Sequence, residues 1–168
     1  MIGDVEKLLG TLESGTKEEI WEAAKDLESL VLDISLVLLR RLRDSAKTDT
    51  RAAPAYVLGF GHFASARNPL EEVLDNANED SFVRGHAAEA LAYIGDRESA
   101  KVLLKQMEDT HPGVRYWCIF ALGQIHDERA LPALKRVAEA TEDEDYDGHS
   151  LRDEARDAIA EIEGRVNG

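Results

Sequence analysis

The chain repeats one helical sequence pattern, and this repetition constrains its fold more than any other feature. The pattern reads VRGHAAEALAYIGD around Arg84 and VRYWCIFALGQIHD around Arg115, so its period is 31 residues. Looser copies follow Arg51 and Arg152. A regular period of this kind is typical of solenoids, in which each repeat buries its apolar face against its neighbours.

Apolar residues recur three, six, seven and ten positions after each aligned arginine, as they do on one face of an α-helix. The seventh position, for example, is Leu58, Leu91, Leu122 and Ile159 in the four copies. The tracts between copies, such as ESAKVLLKQMED and ERALPALKRVAEA, supply a second helix to each repeat. We therefore predict an all-α fold, an α-solenoid of about five antiparallel helix pairs.

With 168 residues, the chain is long enough for one domain with a continuous core. We expect a single solenoid domain over residues 1–168, with divergent helices in 1–47 and recognisable repeats in 48–168. No apolar run reaches the roughly 20 residues of a membrane span, and no secretion signal is visible, so we expect a cytoplasmic protein. The polar final helix favours a monomer.

Charge and cysteine content limit the partners and the redox chemistry. The net charge of −14 disfavours nucleic acid and anionic membranes, because both need clustered Lys and Arg to bind them. A basic protein is the partner that we expect. The single cysteine, Cys118, lies within WCIFAL and is predicted to be a buried core residue rather than a reactive thiol.

The repeat resembles the HEAT-repeat family, in its short bacterial form with the pattern VR(x)xAAxALGxIGD followed by xxALPALxxAL. The match is strongest from Asp80 to Glu139. The resemblance implies an α-solenoid but does not select one activity, because the family includes scaffolds, adaptors, immunity proteins, bilin lyases, glycosylases and a metal-dependent hydroxylase.

The hydroxylase branch of this family holds a His-Glu dipeptide directly after the aligned arginine, where paired helices present it to two metal ions. No His-Glu dipeptide stands at those positions in this sequence, so we do not expect a di-iron site. The basic groove of the glycosylase branch is not expected in so acidic a chain either. The dipeptides at the four positions are Ala52-Ala53, Gly85-His86, Tyr116-Trp117 and Asp153-Glu154.

The segment DEDYDGHSLRDE before the last copy matches the calcium-loop pattern D-x-D-x-D-G-x5-E. Carboxylates at alternate loop positions can converge on a calcium ion. However, Ser150 stands where such loops carry an aliphatic residue, and an acidic loop that caps the next helix explains the same residues without a metal. We expect no other cofactor, and the candidate calcium ligands are Asp143, Asp145, Asp147 and Glu154.

Aromatic residues occupy helix positions that the periodicity assigns to solvent. Positions one, five and nine after the aligned arginine point away from the buried face, and an exposed aromatic cluster with a charged rim is typical of a protein interface. In the alternative interpretation, the N-terminal helices that carry Trp21, Leu27, Val31 and Leu38 cover this stripe. The candidate partner-binding residues are Tyr56, Phe60, Glu89, Tyr93, Tyr116, Trp117, Phe120, Asp153 and Asp157.

These observations favour a non-catalytic interaction module that binds a basic protein through the aromatic stripe. By resemblance, a small acidic protein of this kind is similar to an immunity protein that neutralises a cationic toxin. Two alternatives stay open, a bilin-lyase-like protein that handles a cofactor and a calcium-responsive scaffold. Neither a Ser-His-Asp arrangement nor a phosphate loop is visible in the sequence, so we do not expect an enzyme.

Overall fold

The computed structural model describes residues 2–28, 34–140 and 145–164, and these residues form five consecutive helix pairs. The predicted all-α solenoid is confirmed. None of the helices in the described ranges combines the length and the apolar character that a bilayer crossing needs. The helices are α1 (Ile2–Ser14), α2 (Lys17–Glu28), α3 (Ser35–Asp44), α4 (Thr48–Phe60), α5 (Arg67–Asp75), α6 (Ser81–Ile94), α7 (Ser99–Gln106), α8 (Pro112–Ile125), α9 (Leu131–Ala138) and α10 (Leu151–Ile162).

Local sequence signals begin and end the repeated helices. At the start of α6, the Asp80 carboxylate accepts a hydrogen bond from the Phe82 backbone N–H at 2.9 Å. At the start of α10, the Ser150 hydroxyl accepts one from the Asp153 backbone N–H at 3.0 Å. His126 ends α8 in the left-handed conformation, with a φ of 56°. These caps satisfy backbone groups that a helix end leaves without partners.

The four copies of the repeated pattern form α4, α6, α8 and α10, which pack side by side as a central row of helices. The paired helices α5, α7 and α9 pack against α6, α8 and α10, and α2 packs against α4. Small residues allow the central helices to approach closely, since Gly59 faces Ala90 and Gly123 faces Ala158. The aromatic residues that the sequence predicts as a stripe lie on helices of this row.

Ion pairs from the aligned arginines join one repeat to the next. The guanidinium of Arg84 donates two hydrogen bonds to the Asp109 carboxylate, and both side chains are buried. Arg51 donates to Glu79 at 2.8 Å, and Arg115 donates to the backbone carbonyl of Asp109. Arg51 and Arg84 therefore join their helices to the segment that precedes the next repeated helix.

The segment before α10 forms a short β-hairpin, in which β1 (Asp145–Tyr146) pairs with β2 (His149–Ser150) in antiparallel register. Asp147 and Gly148 form its two-residue turn, with φ values of 54° and 82°. Left-handed backbone at both turn residues matches the right-handed twist of the strands. The hairpin brings Tyr146 against α8, where its ring contacts Gly113.

Candidate functional site

Aromatic rings from α4, α6 and α8 form one continuous row, which we call the aromatic row. The rings of Tyr56 and Phe60 lie 4.3 Å apart, and Phe60 contacts Tyr93 at the same centroid distance. Tyr93 is followed by Phe120 at 6.5 Å, and Phe120 by Trp117 at 5.7 Å. The stripe predicted from helix periodicity is therefore a connected surface. Tyr116, whose ring lies 5.1 Å from Trp117, continues it toward the Tyr146 ring of the hairpin, at 5.7 Å.

One end of the aromatic row is covered by α2. The Trp21 ring lies 5.9 Å from the Tyr56 ring in an edge-to-face arrangement. Coverage by the N-terminal helices, which was the alternative interpretation, thus describes this end of the row. Of the other residues expected to contribute, Leu27 and Leu38 are buried in the core and Val31 lies outside the described residues.

The other end of the aromatic row lines a groove between α6, α8 and α10 with a volume of about 590 Å³. Four aromatic rings and four carboxylates line it together, and we call it the acidic groove. Such a groove offers both an apolar wall and negative charge to a ligand. Its lining includes Tyr93, Tyr116, Trp117, Phe120, Gln124, Glu89, Glu154, Asp157 and Glu161.

A hydrogen bond from the Tyr116 hydroxyl to the Glu154 carboxylate joins α8 to α10 inside the acidic groove. Burial raises the pKa of Glu154 above its usual range and the charge of Asp157 adds to the increase, although the Tyr116 hydrogen bond and His149 act in the opposite direction. Burial and the neighbouring carboxylates also raise the pKa of Tyr116. Both shifts show that negative charge is unfavourable here without a compensating cation.

Glu89 is the most deeply buried carboxylate of the acidic groove, with 8% of its surface exposed. A hydrogen bond joins its Oε2 to Nδ1 of His86 at 2.7 Å. The His86 ring is itself held between Trp21, at 4.9 Å, and Phe82, at 4.6 Å. Aromatic packing around His86 therefore fixes the orientation of the Glu89 carboxylate.

The acidic groove brings together six of the nine residues predicted from the sequence to bind a partner. Tyr56 and Phe60 lie further along the aromatic row and outside the groove. Asp153 does not line it either, because its exposed carboxylate pairs with Arg156 at 2.7 Å. The six residues in the groove are Glu89, Tyr93, Tyr116, Trp117, Phe120 and Asp157.

Two acidic residues of the groove were not predicted as partner-binding residues. Glu154 was assigned to the calcium loop, and Glu161 was not singled out. Their spacing contained a usable signal, because residues 154, 157 and 161 are three and four positions apart and share one face of α10. Glu161 stands nine positions after Arg152, within the stripe of positions one, five and nine, whereas Glu154 stands two positions after it and outside the stripe.

Two of the predicted calcium ligands, Asp147 and Glu154, have side chains that the structure describes. Asp147 is exposed at the hairpin turn, while Glu154 lines the acidic groove and accepts the Tyr116 hydrogen bond. Asp143 and the side chain of Asp145 lie outside what the structure describes. Across the described ranges, no group of three or more His, Cys, Asp or Glu side chains could hold a metal ion. The calcium loop stays a prediction.

Comparison with known families and structures identifies the repeat. A family model of HEAT repeats matches residues 35–105 and 68–159. The complex of CpcE and CpcF of phycocyanin lyase from Nostoc sp. PCC7120 is similar in structure, with a TM-score of 0.78 and 17% identity over 94% of this chain and 99% of that chain. An engineered protein is similar with a TM-score of 0.58 and 25% identity, over 95% of this chain and 79% of its own. The similarity to the lyase shows the fold alone.

Curated relatives of the chain are deoxyhypusine hydroxylases. The protein from Candida albicans is 42% identical over 86 residues, which are 51% of this chain and 27% of the relative. The rice protein is 41% identical over 81 residues, which are 48% of this chain and 27% of the relative. The Saccharomyces cerevisiae protein is 40% identical over 73 residues, which are 43% of this chain and 22% of the relative. The chain spans about a quarter of the length of these relatives.

These relatives overturn the functional predictions made from the sequence. The prediction of a non-catalytic interaction module, and of an immunity protein in particular, is wrong because the relatives are enzymes. The prediction of a bacterial type of HEAT protein is wrong as well, since these relatives come from yeasts and rice. The relatives support neither of the two alternatives, a bilin lyase and a calcium-responsive scaffold. The physical reason is that the repeat pattern specifies how helices pack and leaves the activity undetermined.

The residues of this chain do not fit the paired metal site that resemblance implies for the hydroxylase branch. Ala52 and Ala53 are fully buried and offer no metal-binding atom. After the second aligned arginine, His86 shares a hydrogen bond with the Glu89 carboxylate. After the third, Tyr116 offers a phenol whose pKa is raised by burial. We therefore assign no catalytic step to a metal at these positions.

Proposed function

The chain belongs to the HEAT-repeat family, and from that premise we propose that it binds the substrate side chain in a deoxyhypusine-hydroxylase-type protein. In this proposal, the chain takes part in the hydroxylation reaction after which its relatives are named. Deoxyhypusine is a lysine side chain lengthened by an aminobutyl group on Nε, so it carries two protonated amines, one within the side chain and one at its end, linked by apolar methylene segments. The acidic groove receives this side chain.

The observation that carries the proposal is the presence of aromatic rings and carboxylates in one groove. Cations are attracted to the faces of Trp and Tyr rings, and an apolar stem gains free energy when rings exclude water from it. Glu89 is buried and Glu154 half-buried, so a pairing ammonium group is less screened there than at an exposed surface. The four rings of the groove supply the wall for the stem.

The electrostatics of the groove agree with a cationic ligand. No described residue of its lining is Lys or Arg, while four are acidic. Burial raises the pKa of Glu154, which means that an incoming ammonium would relieve an unfavourable buried charge. The net charge of −14 would also steer a basic segment of the substrate protein toward the chain. The substrate protein is thus the basic partner in this proposal.

A fluorescence titration tests the proposal. The chain has two tryptophans, so Trp21→Phe leaves Trp117, in the groove wall, as the only reporter. We expect a saturable change in Trp117 emission with a peptide that carries deoxyhypusine, and weaker binding both of the same peptide with lysine and of the peptide whose terminal amine is acetylated, because each of these carries one charged amine fewer. Equal binding of the acetylated peptide would refute recognition of the amine.

A matched pair of variants separates the groove from general charge. Glu154→Gln removes a groove carboxylate, and we expect it to weaken peptide binding by about tenfold, or about 1.4 kcal/mol. Glu128→Gln makes the same chemical change at an exposed side chain outside the groove and should leave binding unchanged. If both variants weaken binding equally, the effect comes from overall charge and the groove is not the binding site.

A further inference from the structure

We infer that the acidic groove also binds free linear polyamines, with their amines distributed along the carboxylates that α10 presents. This inference shares its binding site with the proposed function and adds a second class of ligand, a small molecule that is positively charged along its length. It follows from the spacing of three carboxylates on α10, because the two amines of deoxyhypusine would not use all three.

Three carboxylates of the groove stand in line on α10. Glu154, Asp157 and Glu161 all line the groove and are separated by three and four residues. A helix rises about 1.5 Å per residue, so these positions are about 4.5 and 6 Å apart along the axis. Standard bond lengths place two amines joined by three or four methylene groups about 5 to 6 Å apart. The two spacings match.

The opposite wall of the groove is apolar along the same direction. Tyr116 and Phe120 are four residues apart on α8, so their rings follow one another along one face of that helix. Tyr93 extends this wall from α6, with its ring 6.5 Å from Phe120. Methylene segments between the amines can pack on these rings, while the amines reach the carboxylates on the other side.

The charges of the groove exceed what one ammonium group can neutralise. Of the carboxylates on α10, Glu154 accepts a hydrogen bond from Tyr116, and Glu161 lies 3.7 Å from Nε2 of the exposed His126. Asp157 is exposed on the same face, and Glu89 is buried on the far side. A ligand with several linked cations gains more from this arrangement than the same number of separate ions, because its binding costs translational entropy once.

The test is a titration of the Trp21→Phe chain with butylamine, putrescine and spermidine, read by Trp117 emission and by calorimetry. We expect affinity to rise by about tenfold or more with each added amine. Glu161→Gln should reduce spermidine binding to about the level of putrescine. Glu128→Gln should alter none of the three, and circular dichroism checks that each variant keeps its helices.

Three outcomes would overturn the inference. Spermidine could bind no more tightly than butylamine, magnesium could displace it at equal charge concentration, or an oligolysine peptide could bind more tightly than spermidine. The last result would assign the spaced carboxylates to a protein segment. Binding of the deoxyhypusine peptide without polyamine binding rejects this inference alone, whereas absence of binding by both ligands rejects the proposed function as well.

Discussion

Replacing Gly59 with alanine should destabilise the solenoid, whereas the same replacement at Gly10 should stabilise it. Both glycines lie within helices, Gly59 in α4 and Gly10 in α1. A Cβ atom on Gly59 would lie 2.5 Å from Cα and 2.7 Å from Cβ of Ala90 in α6. A Cβ atom on Gly10 would meet no atom within 4 Å. The two substitutions therefore share their chemistry and differ in the space available.

The magnitudes follow from two opposing terms. Alanine is more favourable than glycine within a helix by about 1 kcal/mol, and this gain applies at both sites. At Gly59 the close atom belongs to the backbone of α6, so α4 and α6 must separate by about 1 Å, and overpacking of this kind costs about 1–3 kcal/mol. We expect Gly59→Ala to lower the free energy of unfolding by up to about 2 kcal/mol and Gly10→Ala to raise it by about 1 kcal/mol.

Urea unfolding followed by circular dichroism measures both changes. Separation of α4 and α6 should also weaken the stack between Phe60 and Tyr93, whose rings lie 4.3 Å apart across the same pair of helices. Thermal unfolding should show midpoints shifted in opposite directions by a few degrees. If Gly59→Ala stabilises the chain as much as Gly10→Ala does, the close approach of α4 and α6 is refuted.

Three further groups provide tests. Asp109→Ala should lower the free energy of unfolding by about 3–5 kcal/mol in urea titrations, because it leaves the buried Arg84 guanidinium without its carboxylate. Burial raises the pKa of Glu154, so this carboxyl group loses its proton only at a pH above the usual carboxyl range. As the pH rises through that range, amine affinity should increase, whereas the stability of the ligand-free chain should decrease because a buried charge forms. Glu154→Gln should flatten both pH profiles. Burial also raises the pKa of Cys118, so labelling by iodoacetamide should follow the urea unfolding curve, and rapid labelling of the native chain would contradict the structure.

The helix pairs could be predicted because their determinants are local. The spacing of apolar residues after each aligned arginine specifies which side of a helix is buried, and the seventh positions Leu58, Leu91 and Leu122 are fully buried in the structure. Helix capping also depends on neighbouring residues, since the Asp80 side chain accepts a hydrogen bond from the Phe82 backbone N–H at the start of α6. The same periodicity identified most of the aromatic row, because positions one, five and nine share a helix face.

The acidic groove could not be derived in this way, because it depends on distances between separate repeats. Glu89, Tyr116 and Glu154 come from α6, α8 and α10, and only the packing of those helices brings them together. The hairpin before α10 illustrates a different difficulty. The Asp147-Gly148 pair satisfies both the calcium-loop pattern and the strongest short signal for a two-residue hairpin turn, and the structure contains the hairpin.

The functional prediction failed because the repeat pattern reports packing, yet the positions that distinguish this chain from the hydroxylase branch are informative. The residues directly after the third and fourth aligned arginines include Tyr116, Trp117 and Glu154, and all three line the acidic groove. The face that carries His-Glu dipeptides in that branch therefore carries rings and a carboxylate here. An aromatic and acidic wall favours an ammonium group over a metal ion that needs His and carboxylate donors, so this face of the solenoid differs in its chemistry from the same face in the hydroxylase branch.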